Sequence, residues 1–83
     1  MDYFAYVLRN SAGRRYIGVS SDPVRRLEQH NRGESTWTAK HQPWTLEWTS
    51  RALSLSAARR LENLLKRQKG GAGLATLLRD FGS

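Results

Sequence analysis

Apolar and polar positions in the N-terminal part of the chain are arranged as in two short β-strands. The runs YFAYVL (Tyr3–Leu8) and RYIGVS (Arg15–Ser20) are rich in aromatic and β-branched residues, which strands favour. Between them lie Asn10, Ser11 and Gly13, which are typical turn residues. Two strand-like runs joined by such a turn predict a β-hairpin.

The next segment, SSDPVRRLEQHNRG, changes to helical spacing and carries signals for both helix ends. Ser21 or Asp22 can cap the first amides, and Pro23 suits the first helical position. Gly33 suits the position just after the last turn. The pattern therefore predicts a helix with defined ends directly after the hairpin.

The two faces of this helix have different chemistry. We expect Val24, Leu27 and Asn31 to share the face that packs on the hairpin. Arg26 and His30 are four residues apart, so they share another face. That second face is expected at the edge of a surface, where it can meet a ligand.

The segment ESTWTAKHQPW is expected to be a polar loop, and TLEWTSRAL alternates enough to predict a third strand. We expect Leu46, Trp48 and Ser50 on one side of that strand. Pro43 and Trp44, like Trp48, are expected to pack in the core or to anchor the loop.

The last part of the chain predicts two helices. Ser54 or Ser56 can cap SLSAARRLENLLKRQKGG, and Gly70 and Gly71 are expected to end it. The expected inward-facing residues are Ala57, Ala58, Leu61, Leu64 and Leu65 in this helix and Leu74, Leu77, Leu78 and Phe81 in a terminal helix, LATLLRDF.

Together these elements predict one α/β (α+β) domain over residues 1–83. Its expected architecture is a small three-stranded antiparallel sheet flanked by helices, in the order β-β-α-β-α-α.

Charge gives the first indication of a partner. Fourteen Lys and Arg oppose seven Asp and Glu, for a net charge of +7, and eleven of the fourteen are arginine. Such a surface attracts polyanions, and the arginine fork grips phosphate through two hydrogen bonds. Nucleic acid is the expected partner, ahead of an anionic membrane surface.

Other compositional features narrow the function classes. The chain has no cysteine, which excludes disulfides and thiolate metal sites and suits a cytoplasmic location. No apolar run reaches the length of a signal peptide or a membrane span. We therefore expect no membrane partner, and the sequence leaves open a protein partner or a homodimer.

Several short motifs then occur in a specific order. The first strand carries FAY with Tyr6, and the second carries YIG with Tyr16. Arg26 follows ten residues after Tyr16, His30 follows four residues later, and Glu62 stands in ARRLENLLK. This arrangement resembles the GIY-YIG nuclease superfamily over roughly residues 2–70. Its sequence motifs are most similar to those of the small single-domain bacterial branch. The first motif departs from the family pattern because only its tyrosine is retained.

The resemblance implies a metal-dependent endonuclease that hydrolyses DNA. Glu62 would hold a divalent ion, Mg²⁺ or alternatively Mn²⁺, and Arg26 would grip phosphate oxygens. Tyr6 or Tyr16 would orient or deprotonate the attacking water, with a pKa lowered by Arg26 and the ion. His30 would relay the proton or contact phosphate.

Further residues are candidates for binding rather than chemistry. Glu62 is the only acid in a basic helix, although it can also simply pair with Lys66 four residues on. Gly18 is expected to allow close approach of strand and helix, and Trp37 and His41 are candidates for stacking on a base. The expected nucleic-acid contacts are Arg14, Arg15, Arg25, Arg32, Trp37, Lys40, His41 and Lys66.

Two other function classes remain open at this point. One is a binding module of the same fold that grips nucleic acid without cutting it, and the other is a basic structural protein attached to a ribosome or membrane. A domain this small has little surface for reading base edges. We therefore expect low sequence specificity and a preference for single-stranded or branched substrate. The resemblance implies DNA rather than RNA as that substrate.

Overall fold

An antiparallel sheet of three strands, with helices on both faces, forms the described part of the chain, residues 1–34, 36–68 and 71–82 of a computed structural model. The predicted fold class and element order are confirmed, with one short helix added. The elements are β1 (Phe4–Asn10), β2 (Arg15–Ser20), α1 (Pro23–Asn31), α2 (Thr36–Ala39), β3 (Trp44–Thr49), α3 (Leu55–Arg67) and α4 (Gly71–Phe81).

The predicted hairpin is confirmed, and its turn uses the expected chemistry. β1 and β2 pair antiparallel, with Tyr6 opposite Gly18. The Asn10 side-chain oxygen accepts hydrogen bonds from the amides of Ala12 and Arg14. Gly13 has a φ of +82°, a conformation that glycine adopts without steric cost.

The sheet separates two apolar clusters, because successive side chains of the central strand β1 point to opposite faces. We call them the α1-side cluster and the α3-side cluster. The α1-side cluster contains Tyr6, Leu8 and Trp44, with Tyr16, Leu27 and Leu46 packed against it. The α3-side cluster contains Ala5, Val7, Leu61, Leu65 and Leu74, with Ile17, Trp48, Leu53, Leu77, Leu78 and Phe81 packed against it.

The prediction that Leu46, Trp48 and Ser50 share one side of β3 is wrong. Leu46 lies opposite Leu8 whereas Trp48 lies opposite Val7, so Glu47 is an extra residue in the pairing. Such a β-bulge reverses the facing of the residues beyond it. Leu46 therefore packs on the α1 side and Trp48 on the α3 side.

Helix α1 begins and ends where the sequence predicts. The Asp22 side chain accepts a hydrogen bond from the Arg25 amide, Pro23 is the first helical residue, and Gly33 has a φ of +80° just beyond the helix. These caps satisfy backbone groups that a helix end leaves without partners.

The expected inner face of α1 is partly wrong. Val24 is 58% exposed, and the inward stripe instead consists of Pro23, Leu27 and His30, spaced i, i+4 and i+7. Asn31 is exposed as a residue. Its side chain nevertheless donates to the Trp44 carbonyl and accepts from the Trp44 amide.

The segment predicted as a polar loop contains the one-turn helix α2. Pairing of Asn31 with the Trp44 backbone closes the connection at its far end. Trp44 is buried, as expected, and its indole N–H donates to the Thr38 carbonyl. These contacts hold α2 over the α1 side of the sheet.

Helix α3 is capped by Ser54, which accepts from the Ala57 amide. It ends earlier than predicted, at Arg67, and Gly71 opens α4 instead of closing α3. The expected end at Gly70 lies outside the described residues.

The core positions of α3 and α4 are mostly as predicted. Ala58, Leu61, Leu65 and Leu74 are buried, and Leu77, Leu78 and Phe81 pack against their cluster. Leu64 is an exception at 40% exposure, because it lies beyond the stripe that faces the sheet; Ala57, at the opposite margin, is half-buried. In the described part of the chain, no helix combines the length and apolarity needed to cross a membrane.

Candidate active site

A cavity of about 440 Å³ lies where both α1 and α3 reach the edge strand β2. Four of its polar lining residues come from four different elements. Tyr6 is on β1, Tyr16 on β2, Arg26 on α1 and Glu62 on α3. The remaining lining residues are Tyr3, Gly18, Val19, Leu55 and Arg59. Side chains separated by up to 59 positions along the chain thus meet around one space.

Gly18 makes room for the tyrosine across from it. A Cβ atom added at Gly18 would lie 2.6 Å from the Tyr6 hydroxyl, closer than such contacts are found. The residue that needs the space is therefore a tyrosine of the neighbouring strand, whereas the sequence predicted close approach of a helix.

His30 was expected at the edge of a surface, but it is buried and only 1% exposed. Its Nε2 lies 3.2 Å from the Tyr6 hydroxyl, and its Nδ1 lies 2.8 Å from the Thr38 hydroxyl. Because the inward stripe of α1 begins at Pro23, the ring of His30 points into the protein. It touches Tyr6 and cannot contact a phosphate directly.

These contacts extend into a continuous series that we call the buried polar chain. It runs from the Trp44 indole through Thr38 and His30 to Tyr6. Buried polar groups need partners, and no buried side-chain nitrogen or oxygen lacks one in the part of the chain that the structure describes. The buried polar chain fixes the position of the Tyr6 hydroxyl at the wall of the cavity.

The protonation of this pair is set mainly by burial. Burial, with smaller contributions from the nearby Tyr16 and Glu62, raises the pKa of Tyr6 despite the lowering caused by hydrogen bonding and charge from Arg26. Burial, together with the positive charge of Arg26, lowers the pKa of His30. The protein alone thus favours a neutral tyrosine beside a neutral histidine. The lowered tyrosine pKa expected with a bound ion stays a prediction.

Arg26 and Arg25 are adjacent but lie in different surroundings. Arg26 is half-buried, lines the cavity, and donates from Nη1 to Gln29 Oε1 at 2.6 Å. Arg25 is exposed and lines neither the cavity nor the adjoining depression beside Tyr16 and Trp37. The Gln29 contact fixes one end of the Arg26 guanidinium while other N–H groups remain for a ligand.

Glu62 has a half-buried carboxylate whose Oε2 lies 3.0 Å from Lys66 Nζ. The pairing with Lys66 that the sequence allowed is therefore present, and it coexists with a place in the cavity. Among the described residues, no three His, Cys, Asp or Glu side chains cluster as a metal site. A single carboxylate beside phenol oxygens fits Mg²⁺, which retains most of its waters and needs few protein ligands.

A second depression, which we call the aromatic groove, adjoins the cavity. It has a volume of about 410 Å³ and is lined by Arg15, Tyr16, Ile17, Trp37 and Lys66. Tyr16 lines both spaces. Three of the residues expected to bind nucleic acid therefore lie together beside the cavity.

The other expected nucleic-acid contacts are dispersed. His41 is half-buried and lies with its ring 4.7 Å from that of Trp37, so it supports this indole from behind. Arg14, Arg25, Arg32 and Lys40 line neither space, and Arg32 is paired with Glu34.

Some site residues were not identified from the sequence. Arg59 lies three residues before Glu62 on the same helix face and lines the cavity, so its spacing was a usable signal. Tyr3 also lines the cavity, but strand propensity alone explains a tyrosine there. Nothing local indicates Thr38, because its contact with His30 depends on how α2 folds over the sheet.

Comparison with known proteins gives a match over most of the chain. A family model described as the GIY-YIG catalytic domain matches residues 2–74. No solved structure matches significantly. The family model confirms the resemblance that the motifs indicated.

The matching relatives are bacterial. A UPF0213 protein of Aeromonas hydrophila is 40% identical over 67 residues, which cover 80% of this chain and 49% of that protein. The UPF0213 protein YhbQ of Escherichia coli (strain HS) is 34% identical, with coverage of 92% of this chain and 86% of that protein. The chain spans about half the length of the Aeromonas relatives.

Proposed function

This chain belongs to the GIY-YIG family of nuclease domains, and we propose that it is a divalent-metal-dependent endonuclease that hydrolyses phosphodiester bonds in DNA. The observation that carries the proposal is the convergence of Tyr6, Tyr16, Arg26 and Glu62, from four different elements, on one cavity. Ordinary strand and helix surfaces do not require these four side chains to meet.

Arg26 is the phosphate-binding residue in this proposal. Its guanidinium is held by Gln29 at the cavity wall, so it needs little further ordering when a phosphate arrives. Charge-assisted hydrogen bonds from arginine to phosphate oxygens are strong and directional. They also strengthen as negative charge grows on those oxygens during the reaction.

The buried polar chain supplies a route for the proton of the attacking water. The proposed route uses the tautomer in which Nδ1–H of His30 donates to the Thr38 hydroxyl and Nε2 presents its lone pair to Tyr6. As Tyr6 oxygen accepts a proton from water, the Tyr6 proton passes to His30 Nε2 over the 3.2 Å contact. The water oxygen then bonds to phosphorus as the bond from phosphorus to the leaving sugar oxygen breaks. Tyr16, which lines the same cavity, orients the water.

Glu62 is the residue that would hold the metal ion, Mg²⁺ or Mn²⁺. When bound, the ion supplies positive charge that stabilises the phosphate oxygens as the leaving group departs. Lys66 lies within ion-pair distance of the same carboxylate and is exposed, so it can move away when a cation replaces it.

We propose low sequence specificity and a preference for single-stranded or branched DNA. The cavity lies at a sheet edge between two helices, and both helices are packed on the sheet along their inner faces. Neither is therefore free to enter a major groove and read base edges. Contacts to phosphate then dominate, and they weaken steeply with salt. The absence of cysteine suits a reducing cytoplasm.

The decisive experiment replaces the metal ligand. We expect Glu62→Ala to abolish cleavage of labelled single-stranded DNA in Mg²⁺ or Mn²⁺ while DNA binding is retained or slightly tightened, because a negative charge near phosphate is removed. The matched control is Glu28→Ala, which removes an exposed acid of α1 that lines neither the cavity nor the groove. Cleavage by Glu62→Ala at the parental rate would exclude Glu62 as the ligand.

A binding module without catalysis is the second candidate. Two observations favour it. Glu62 already has Lys66 as a partner, and the raised pKa of Tyr6 keeps this tyrosine protonated. Salt-sensitive DNA binding with no cleavage of single-stranded, branched or duplex DNA in either metal would support this alternative.

A further inference from the structure

We propose that the aromatic groove is a nucleobase-stacking site that holds an unpaired base next to the phosphate in the cavity. This inference rests on the proposed function, because it assumes a DNA strand at the cavity. It adds a binding site for a defined part of the substrate and a reason for strand preference.

The first observation is the exposure of Trp37. Its side chain is 43% exposed, whereas Trp44 is buried. Among the described residues, Trp37 is the only aromatic side chain in the set of exposed large hydrophobic residues. An indole face in water is a stacking surface for any base, because every base has a π-face.

The second observation is that the indole is held in place. Its ring centroid lies 4.7 Å from His41, 5.7 Å from Trp44 and 6.2 Å from Tyr16. A ring that is already ordered loses little conformational freedom when a ligand binds. The rings of Trp37 and Tyr16 are too close to admit a base between them, so a base stacks on their open side.

The third observation is continuity with the cavity. Tyr16 lines both spaces, and Lys66 lines the groove while contacting Glu62 of the cavity. The groove is therefore positioned to receive the neighbouring nucleotide of a strand whose phosphate lies against Arg26.

The fourth observation is charge. The groove carries two cations, Arg15 and Lys66, and no acidic residue lines it in the part of the chain that is described. Both cations are paired with glutamates, but their side chains are 36% and 53% exposed. Lys66 is the more exposed of the two, so a flanking phosphate can replace Glu62 as its partner. Arg15 keeps two hydrogen bonds to Glu47 and adds positive charge at the other side of the groove. An apolar surface between cations suits a nucleotide better than an apolar peptide.

Stacking in this groove requires a base that has left its own stack. In an intact duplex each base face is covered by its neighbours, and extruding a base costs free energy. Single-stranded and branched DNA expose such bases already, so the groove favours them.

The test measures binding in EDTA, where strands remain intact. Two labelled probes are compared: a single-stranded oligodeoxynucleotide, and a strand of equal length in which every nucleotide is abasic. We expect Trp37→Ala to weaken binding of the base-containing strand by about tenfold, the loss typical of one stacking contact. Binding of the abasic strand should not change, and Trp37→Phe should retain most of the affinity.

Leu64→Ala is the matched control, because Leu64 is similarly exposed but lines a separate groove with Arg60 and Asn63. A second measurement needs no substituted protein. In the parent, the base-containing strand should reduce quenching of Trp37 fluorescence by acrylamide, and the abasic strand should not.

The inference would be overturned by unchanged affinity of Trp37→Ala for the base-containing strand, or by equal losses for both strands. Absence of shielding in the parent would also overturn it. Cleavage tests separate it from the proposed function. If the parent stacks bases but never cleaves DNA, the stacking site is supported and the nuclease proposal is wrong. If the parent cleaves DNA without stacking bases, the nuclease proposal is supported and the stacking site is wrong.

Discussion

The two faces of the sheet are built in different ways. The α3-side cluster is held by apolar contacts, and most of its members come from strands and helices that the sequence pattern identifies directly. Ser50, which is buried beside Ala5, bonds to the backbone groups of Ala5 and Arg51. The α1 side buries His30 and Thr38 beside Tyr6 and links them by hydrogen bonds. Apolar contacts are non-directional and tolerant, whereas a buried hydrogen-bonded series needs each partner at a defined distance.

This difference assigns separate tasks to the two faces. The α3 side supplies most of the burial that stabilises a small chain, and the α1 side positions the hydroxyl of Tyr6 at the cavity. Substitutions inside the α3-side cluster should therefore mainly lower stability. Substitutions in the buried polar chain should affect reactivity and the pH dependence of stability.

The largest expected effect comes from Leu65→Ala on the α3 side. Leu65 is fully buried, and such a truncation lowers the free energy of unfolding by about 2–5 kcal/mol. Denaturant unfolding checks this, with the exposed Leu64→Ala as control, which should cost far less. Cleavage per folded molecule should stay at the parental value; a large loss of turnover in fully folded Leu65→Ala would contradict the separation of tasks.

The next effect compares the neighbours Arg26 and Arg25. Arg26→Ala should reduce turnover by about 100-fold, the loss typical of removing one group that stabilises developing charge. Arg25→Ala should keep its turnover and show mainly weaker, salt-sensitive binding. Single-turnover cleavage and salt titrations measure the two quantities. Equal losses of turnover would show that Arg26 holds no special position at the cavity.

The smallest effect is a pH dependence of stability from His30. Its pKa is lowered in the folded protein, so below pH 6.5, the ordinary value for histidine, the unfolded chain binds a proton that the folded chain does not. Stability should therefore fall as pH falls from about 6.5 to 5, by at most about 1.4 kcal/mol per pH unit. Above that range His30 contributes no slope.

His30→Gln provides the comparison for this measurement, because it removes the titrating ring. Urea unfolding of both proteins across the same pH range should give a flatter profile for His30→Gln. Parallel profiles would mean that His30 takes up a proton as readily in the folded protein as in the unfolded chain.

Local signals explain how much of the fold was predictable. The hairpin turn, the Asp22 cap of α1 and the Ser54 cap of α3 each depend on residues a few positions apart, and each is confirmed. The side assignment of Leu46 and Trp48 failed because the bulge at Glu47 is a property of strand pairing. The alternation of apolar and polar residues within β3 does not indicate where this bulge lies.

The candidate site divides in the same way. The family motifs directed attention to Tyr6, Tyr16, Arg26 and Glu62, and these line one cavity. The burial of His30 was missed because the inward stripe of α1 is shifted by one residue from the expected one. The contact with Thr38 was missed because it joins two helices whose approach depends on Trp44.

The position of Tyr16 limits how this surface can be redesigned. One ring forms a wall of two adjoining spaces, so any change of its size alters both in a single step. Trp37 lines only the groove and Arg26 lines only the cavity, so each can be varied without touching the other space. An engineer seeking a different strand preference at constant chemistry should therefore randomise Trp37 and leave Tyr16 fixed.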